Sequence, residues 1–142
     1  AQESKLPRKP LREGPFGYPE VNVRAQREDP ASFLNWTERA IRTRREWPEF
    51  GWGEWQILPT RGRETLAHLV TWNGHSAMAV HNFADRPVRV TIRLPRQVRR
   101  GAKWRHLFGI KTQDNPPAPG HGRLGIELPP YGYHWFGQRE GL

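Results

Sequence analysis

Between Pro87 and Leu94 apolar and polar side chains alternate strictly, with Val88, Val90, Ile92 and Leu94 on one parity and Arg89, Thr91 and Arg93 on the other. Successive side chains of a strand point to opposite faces, so this pattern predicts a strand with aliphatics toward a core and arginines toward water. Six further short runs read the same way: Trp55–Leu58, Thr65–Trp72, Ser76–Phe83, Lys103–Phe108, Leu124–Leu128 and Gly132–Phe136. Turn signals separate them, among them Asp85-Arg86-Pro87 and the proline-rich stretch Pro116–Gly120. Trp72-Asn73-Gly74-His75 predicts a two-residue type I′ hairpin, because Asn-Gly tolerates the left-handed backbone this turn requires. Seven short strands with no helix between them predict a mainly β, antiparallel sandwich.

Ahead of the strands the period changes. Phe33, Leu34, Thr37, Ala40 and Ile41 recur at helical spacing and form one stripe. Asp29 suits an N-cap and Pro30 the first helical position, and Pro48 stops the pattern, so a helix is expected over 30–46. Pro7, Pro10, Pro15 and Pro19, with Gly14 and Gly17, predict an irregular segment over 1–28. Glu46 to Trp55 is aromatic and turn-rich, and reads as a packed connector.

Composition sharpens this picture. Fourteen glycines and fourteen prolines favour turns. Leu, Ile, Val and Phe make up only about a fifth of the chain, near the level where disorder takes over, and seven Trp supply the missing apolar area. There is no cysteine, which excludes a disulfide scaffold, a thiolate metal site and a cysteine nucleophile. No run approaches the length of a membrane helix. No apolar signal-type region follows Ala1, so the expected compartment is the cytoplasm.

The net charge of +9 is uneven. Arg86, Arg89, Arg93, Arg96, Arg99, Arg100, Lys103 and Arg105 fall in one window without an acid. Such a window can be a footprint for nucleic acid. Here the alternation explains the arginines as the wet face of a strand, where they also discourage edge pairing, and Trp104 is the one aromatic among them. No nucleic acid partner is expected.

Catalytic patterns are scarce. Glu54, Glu64, Asp85, Asp114, Glu127 and Glu140 are the acids of the β region, mostly at turns or strand ends, in no context that would tune a carboxyl for acid–base work. His68 and His81 become diagonal neighbours if Asn73-Gly74 is the loop, and His75 shares their face, but no acid or cysteine completes a metal site. Ser4, Ser32 and Ser76 lie in no nucleophile motif. The glycine run from Gly120 to Gly125 lacks the strand-then-helix setting of a phosphate loop. Neither a catalytic residue, a metal ligand nor a cofactor is assigned. Trp47, Trp52 and Trp55 are the candidates for sugar stacking, which would make the chain a stand-alone carbohydrate-binding module. Pinning the connector to the sandwich is the alternative role for the same rings.

One stretch carries a resemblance. Val21-Asn22-Val23, Ala25-Gln26, Asp29-Pro30, Ser32, Leu34-Asn35-Trp36, Ile41 and Arg44-Arg45-Glu46 match a run that ends the catalytic domain in trehalose synthases and related α-glucosidases. These belong to the α-amylase superfamily, glycoside hydrolase family thirteen. Pro48–Gly53 and Tyr131–Phe136 also resemble the trehalose-synthase-like branch. The resemblance implies that 1–28 is the tail of the last βα loop of a (β/α)₈ barrel. It further implies that 29–53 is the last barrel helix with its connector. Residues 54–142 would then be an antiparallel Greek-key domain of the α-amylase C-terminal type. Loops of that kind lie on a barrel's catalytic face. It implies a parent enzyme that acts on α-glucosides by the retaining route. The family's catalytic carboxylates follow earlier barrel strands, so this chain alone is expected to be a non-catalytic C-terminal fragment. Its expected partner is that barrel, and without it the helix stripe is expected to pack on the sandwich or on a second copy of the chain.

Overall fold

The computed structural model describes residues 5–96, 98, 103–110 and 122–139. The chain divides into two compact units, Ala1–Arg42 and Thr43–Leu142. The division falls within a helix.

The first unit is not irregular throughout. Helix α1 runs Val23–Glu28, just beyond the last proline of the segment. Asn22 caps it: its Oδ1 accepts from the Ala25 N–H at 2.9 Å, and its amide donates to the Tyr18 carbonyl at 3.1 Å. The proline argument therefore ends at Pro19. Helix α2 spans Phe33–Glu46, three residues shorter at its start than the sequence predicts. Asp29 is the C-cap of α1 instead, and its carboxylate accepts from the Ala31 N–H at 2.9 Å, which closes a turn where helix was expected. Ser32 takes the capping position, its Oγ accepting from the Asn35 N–H at 3.2 Å.

Gln26 ties the two helices. Its side-chain oxygen accepts from the Leu34 N–H at 3.0 Å, and its carbonyl accepts from Ser32 Oγ at 2.6 Å and Asn35 Nδ2 at 2.9 Å. Asn35 Nδ2 also donates to the Asp29 carbonyl at 2.7 Å. The polar residues of the family-like run are thus a clasp that satisfies helix-end groups. On the α2 stripe, Phe33 and Ile41 stand exposed, with Phe33 stacked on Trp36.

The second unit is the β domain. A short helix α3, Glu49–Trp52, leads into seven strands: β1 Glu54–Leu58, β2 Thr65–Trp72, β3 His75–Asn82, β4 Val88–Arg93, β5 Arg105–Gly109, β6 Arg123–Leu128 and β7 Tyr133–Gln138. Each lies within a few residues of its expected place. A five-stranded sheet has the order β1-β2-β3-β7-β5, and β4 and β6 form a second sheet. All pairings are antiparallel. The hairpin closes with Trp72 opposite His75, and Asn73 and Gly74 have positive φ, as type I′ requires.

The core lies between the sheets. Leu58, Leu69, Met78, Val80 and Phe136 of the large sheet meet Val90, Ile92, Leu124, Ile126 and Leu128 of the small one. Trp104 belongs to this layer, one of the Trp residues that make up for scarce aliphatics. The alternation in β4 is as predicted: Val90 and Ile92 are buried, and Arg89, Thr91 and Arg93 are exposed. Arg99, Arg100 and the proline-rich Pro116–Gly120 break lie outside the described residues.

Two of the buried polar residues, Asn82 and His134, tie neighbouring segments together. Asn82 Nδ2 donates to the carbonyls of Arg86 and Pro129, each at 2.8 Å, and its Oδ1 accepts from the Ala84 N–H at 2.9 Å. One side chain thereby joins the β3–β4 and β6–β7 turns. His134 is buried on β7, and its Nδ1 lies 3.0 Å from Nε2 of His106 on β5. Burial first, and then the positive charge His106 can carry, push the His134 imidazole down to about 4.

Candidate functional site

Directly opposed residues of antiparallel strands share a face. Leu58 and Ala67 point into the core, so Trp55, Ile57, Leu66, His68 and Val70 form the other face of the large sheet. The connector covers part of that face. Phe50 packs on Trp135 with ring centroids 5.1 Å apart. Gly137 leaves room for the Trp47 ring, which a Cβ there would overlap.

Arg139 locks the connector down. Its Nε and a terminal nitrogen donate to the two carboxylate oxygens of Glu49 at 2.8 and 2.7 Å, and that same terminal nitrogen reaches the Glu46 carbonyl at 3.1 Å. Its guanidinium carbon sits 3.9 Å from the centroid of Trp47. The Glu49 side chain is only 1% exposed. Burial pushes its carboxyl up, but the Arg139 hydrogen bond, the carboxyl's own backbone and the Arg139 and His75 charges together bring it below its ordinary value.

These contacts separate the three tryptophans proposed to stack sugars. Trp47 is buried at 6% exposure, its face taken by Arg139, and cannot present a ring to a ligand. Trp52 and Trp55 are 78% and 70% exposed. Trp55 joins Phe50, Gly53, Ile57, Leu66 and His68 around an open groove of about 380 Å³. The three-ring platform is therefore reduced to two exposed rings. No local pattern warns of this, because Arg139 lies far from Trp47 along the chain.

The histidines stand where the hairpin register puts them, His68 opposite Ala79 and Leu66 opposite His81. The imidazoles of His68 and His81 stack at 6.4 Å, and His81 continues the stack to Phe83 and Tyr133 at 6.1 and 6.2 Å. Burial lowers both, and the neighbouring His68 charge lowers His81 further. Among the described residues no group of three or more His, Asp or Glu is placed to hold a metal ion. Glu64 is paired with Arg86 and Glu127 with Arg89. Asp114, Glu140 and part of the Gly120–Gly125 run lie outside the described residues. No described helix is long and apolar enough to cross a membrane.

The arrangement holds an apolar face and a pinned connector. Residues 74–137 match the family model described as sucrose hydrolase-like, C-terminal domain. The chain is 34% identical over 128 residues to a trehalose synthase of Thermus thermophilus, covering 89% of this chain and 13% of that protein. It is 28% identical over 142 residues to a trehalose synthase of Pimelobacter sp. strain R48, covering 96% of this chain and 24% of that one. The fold is similar to that of an isomaltulose synthase from Klebsiella sp. LX3, with a TM-score of 0.65 and 24% identity over 86% of this chain and 20% of that one. The chain thus spans a quarter or less of the length of these relatives.

Proposed function

We propose that this chain, a C-terminal domain of the trehalose synthase-like enzymes of the α-amylase family, completes a parent enzyme that cleaves or transfers α-glucosidic bonds. Its own work is structural. The carrying observation is the exposed apolar strip of Trp55 and Ile57 beside the Phe50–Gly53 connector. Large exposed apolar surface on a soluble domain marks a contact face. The partner proposed for it is the catalytic (β/α)₈ barrel of the parent, to which α2 would contribute its last helix with Phe33 and Ile41 turned inward. The α-glucoside substrate and the catalytic groups are assigned to that barrel, and no cofactor is assigned to this chain. The cysteine-free composition is in keeping with a cytoplasmic parent.

Oxidative footprinting tests the contact. Trp55 is labelled in the 142-residue chain and in the longer enzyme that contains it. Protection of Trp55 in the longer enzyme is expected. Equal labelling in both would overturn the assignment of this face.

A further inference from the structure

Across the small sheet the exposed side chains of β4 and β6 meet in register. Arg89 lies opposite Glu127, Thr91 opposite Gly125, and Arg93 opposite Arg123. The first pair is a salt bridge of opposite charges at 3.6 Å. The last is its reverse, since like charges directly opposed across strands destabilise a sheet. A third arginine joins them: Arg61, in the turn between β1 and β2, lines the same concavity of about 320 Å³ with Pro59, Thr60 and Thr91. No acid is in that lining. Arg86, Arg89 and Arg139 each have a glutamate partner, whereas Arg61, Arg93 and Arg123 make no ion pair among the described residues. Gly125 has open space where a side chain would stand, so the strand surface beside Thr91 is bare.

We propose that this concavity binds a phosphoryl dianion, either inorganic phosphate or the phosphate group of a small sugar phosphate. Guanidinium groups present paired donors in a plane that matches phosphate oxygens, and three of them offset a dianion's charge. The Thr91 hydroxyl supplies a further donor at the wall, while that of Thr60 already donates to the Thr65 carbonyl at 3.1 Å. The volume suits a compact ligand at the small end of the usual range. A bound dianion also resolves the otherwise unfavourable placement of Arg93 against Arg123. The site lies on the small sheet and is independent of the barrel-contact face.

Calorimetric titration of the 142-residue chain at fixed ionic strength tests it, with inorganic phosphate, glucose 6-phosphate and glucose as probes. Saturable one-to-one binding of phosphate is expected, with none of glucose. Arg93→Gln and Arg123→Gln should each weaken it about tenfold, ~1.4 kcal/mol. Arg89→Gln, at the paired end of the same strands, should leave it unchanged. Tighter binding of glucose 6-phosphate than of phosphate identifies a sugar phosphate as the ligand, and equal binding identifies free phosphate. Absence of saturable phosphate binding would overturn the proposal. So would equal weakening by Arg89→Gln, or binding confined to a polyanion such as heparin that vanishes with added salt. Thermal melts without phosphate guard against misfolding: Arg93→Gln should melt no lower than the unsubstituted chain.

Discussion

Arg139 closes a two-pronged hydrogen bond on the buried carboxylate of Glu49, ninety positions earlier in the chain, and lays its guanidinium on Trp47. Through this contact the end of β7 holds the connector onto the outer face of the sheet. A buried charge left alone is costly, so Arg139→Ala should destabilise the domain by about 3–5 kcal/mol. Urea unfolding monitored by circular dichroism measures this. The Glu49 carboxyl is held below its ordinary value of 4.5, so the pair's contribution is present above that pH and fades as pH falls through the lowered value.

A separate acid sensitivity comes from His134. Its imidazole is pushed down to about 4 in the fold, against 6.5 when free. The unfolded chain therefore binds the proton first, and stability should fall as pH drops from 6.5 toward 4. The full effect is about 3 kcal/mol at 1.36 kcal/mol per pH unit. His68 and His81 act in the same direction. His134→Phe should flatten most of this slope, measured as urea midpoints across that pH range.

Asn82 satisfies two carbonyls and one N–H that the turns around it leave without strand partners. Asn82→Ala should cost about 1–3 kcal/mol, since three part-buried hydrogen bonds to its side chain would be lost. Thermal unfolding checks it.

Gly137→Ala places a methyl group on the Trp47 ring. Overpacking of that kind should cost about 1–3 kcal/mol and shift Trp47 toward water. A red shift in tryptophan emission, absent when Trp47→Phe is combined with it, reads the displacement.

What the sequence disclosed depended on range. The strands and the Asn73-Gly74 hairpin follow from alternation and turn chemistry, which are local, and the register of His68 and His81 follows from the turn. The start of α2 did not follow, because Gln26 and Ser32 compete with Asp29 for the cap and a residue scale cannot rank them. The fate of the three tryptophans was equally hidden. Trp47 and Trp55 look alike in sequence, and only the distant Arg139 and Gly137 bury one and leave the other bare. The facing of Arg93 and Arg123 is visible only once β4 and β6 pair. The family-like run was legible as a resemblance, yet its Asn22, Gln26, Ser32 and Asn35 prove to be a helix clasp.

In the proposed role this chain supports catalysis without performing it. The decisive measurement is turnover of the purified 142-residue chain on maltose, trehalose, sucrose and an aryl α-glucoside. No glucose release or transfer above the enzyme-free rate is expected. Sustained turnover that copurifies with the folded chain would contradict it.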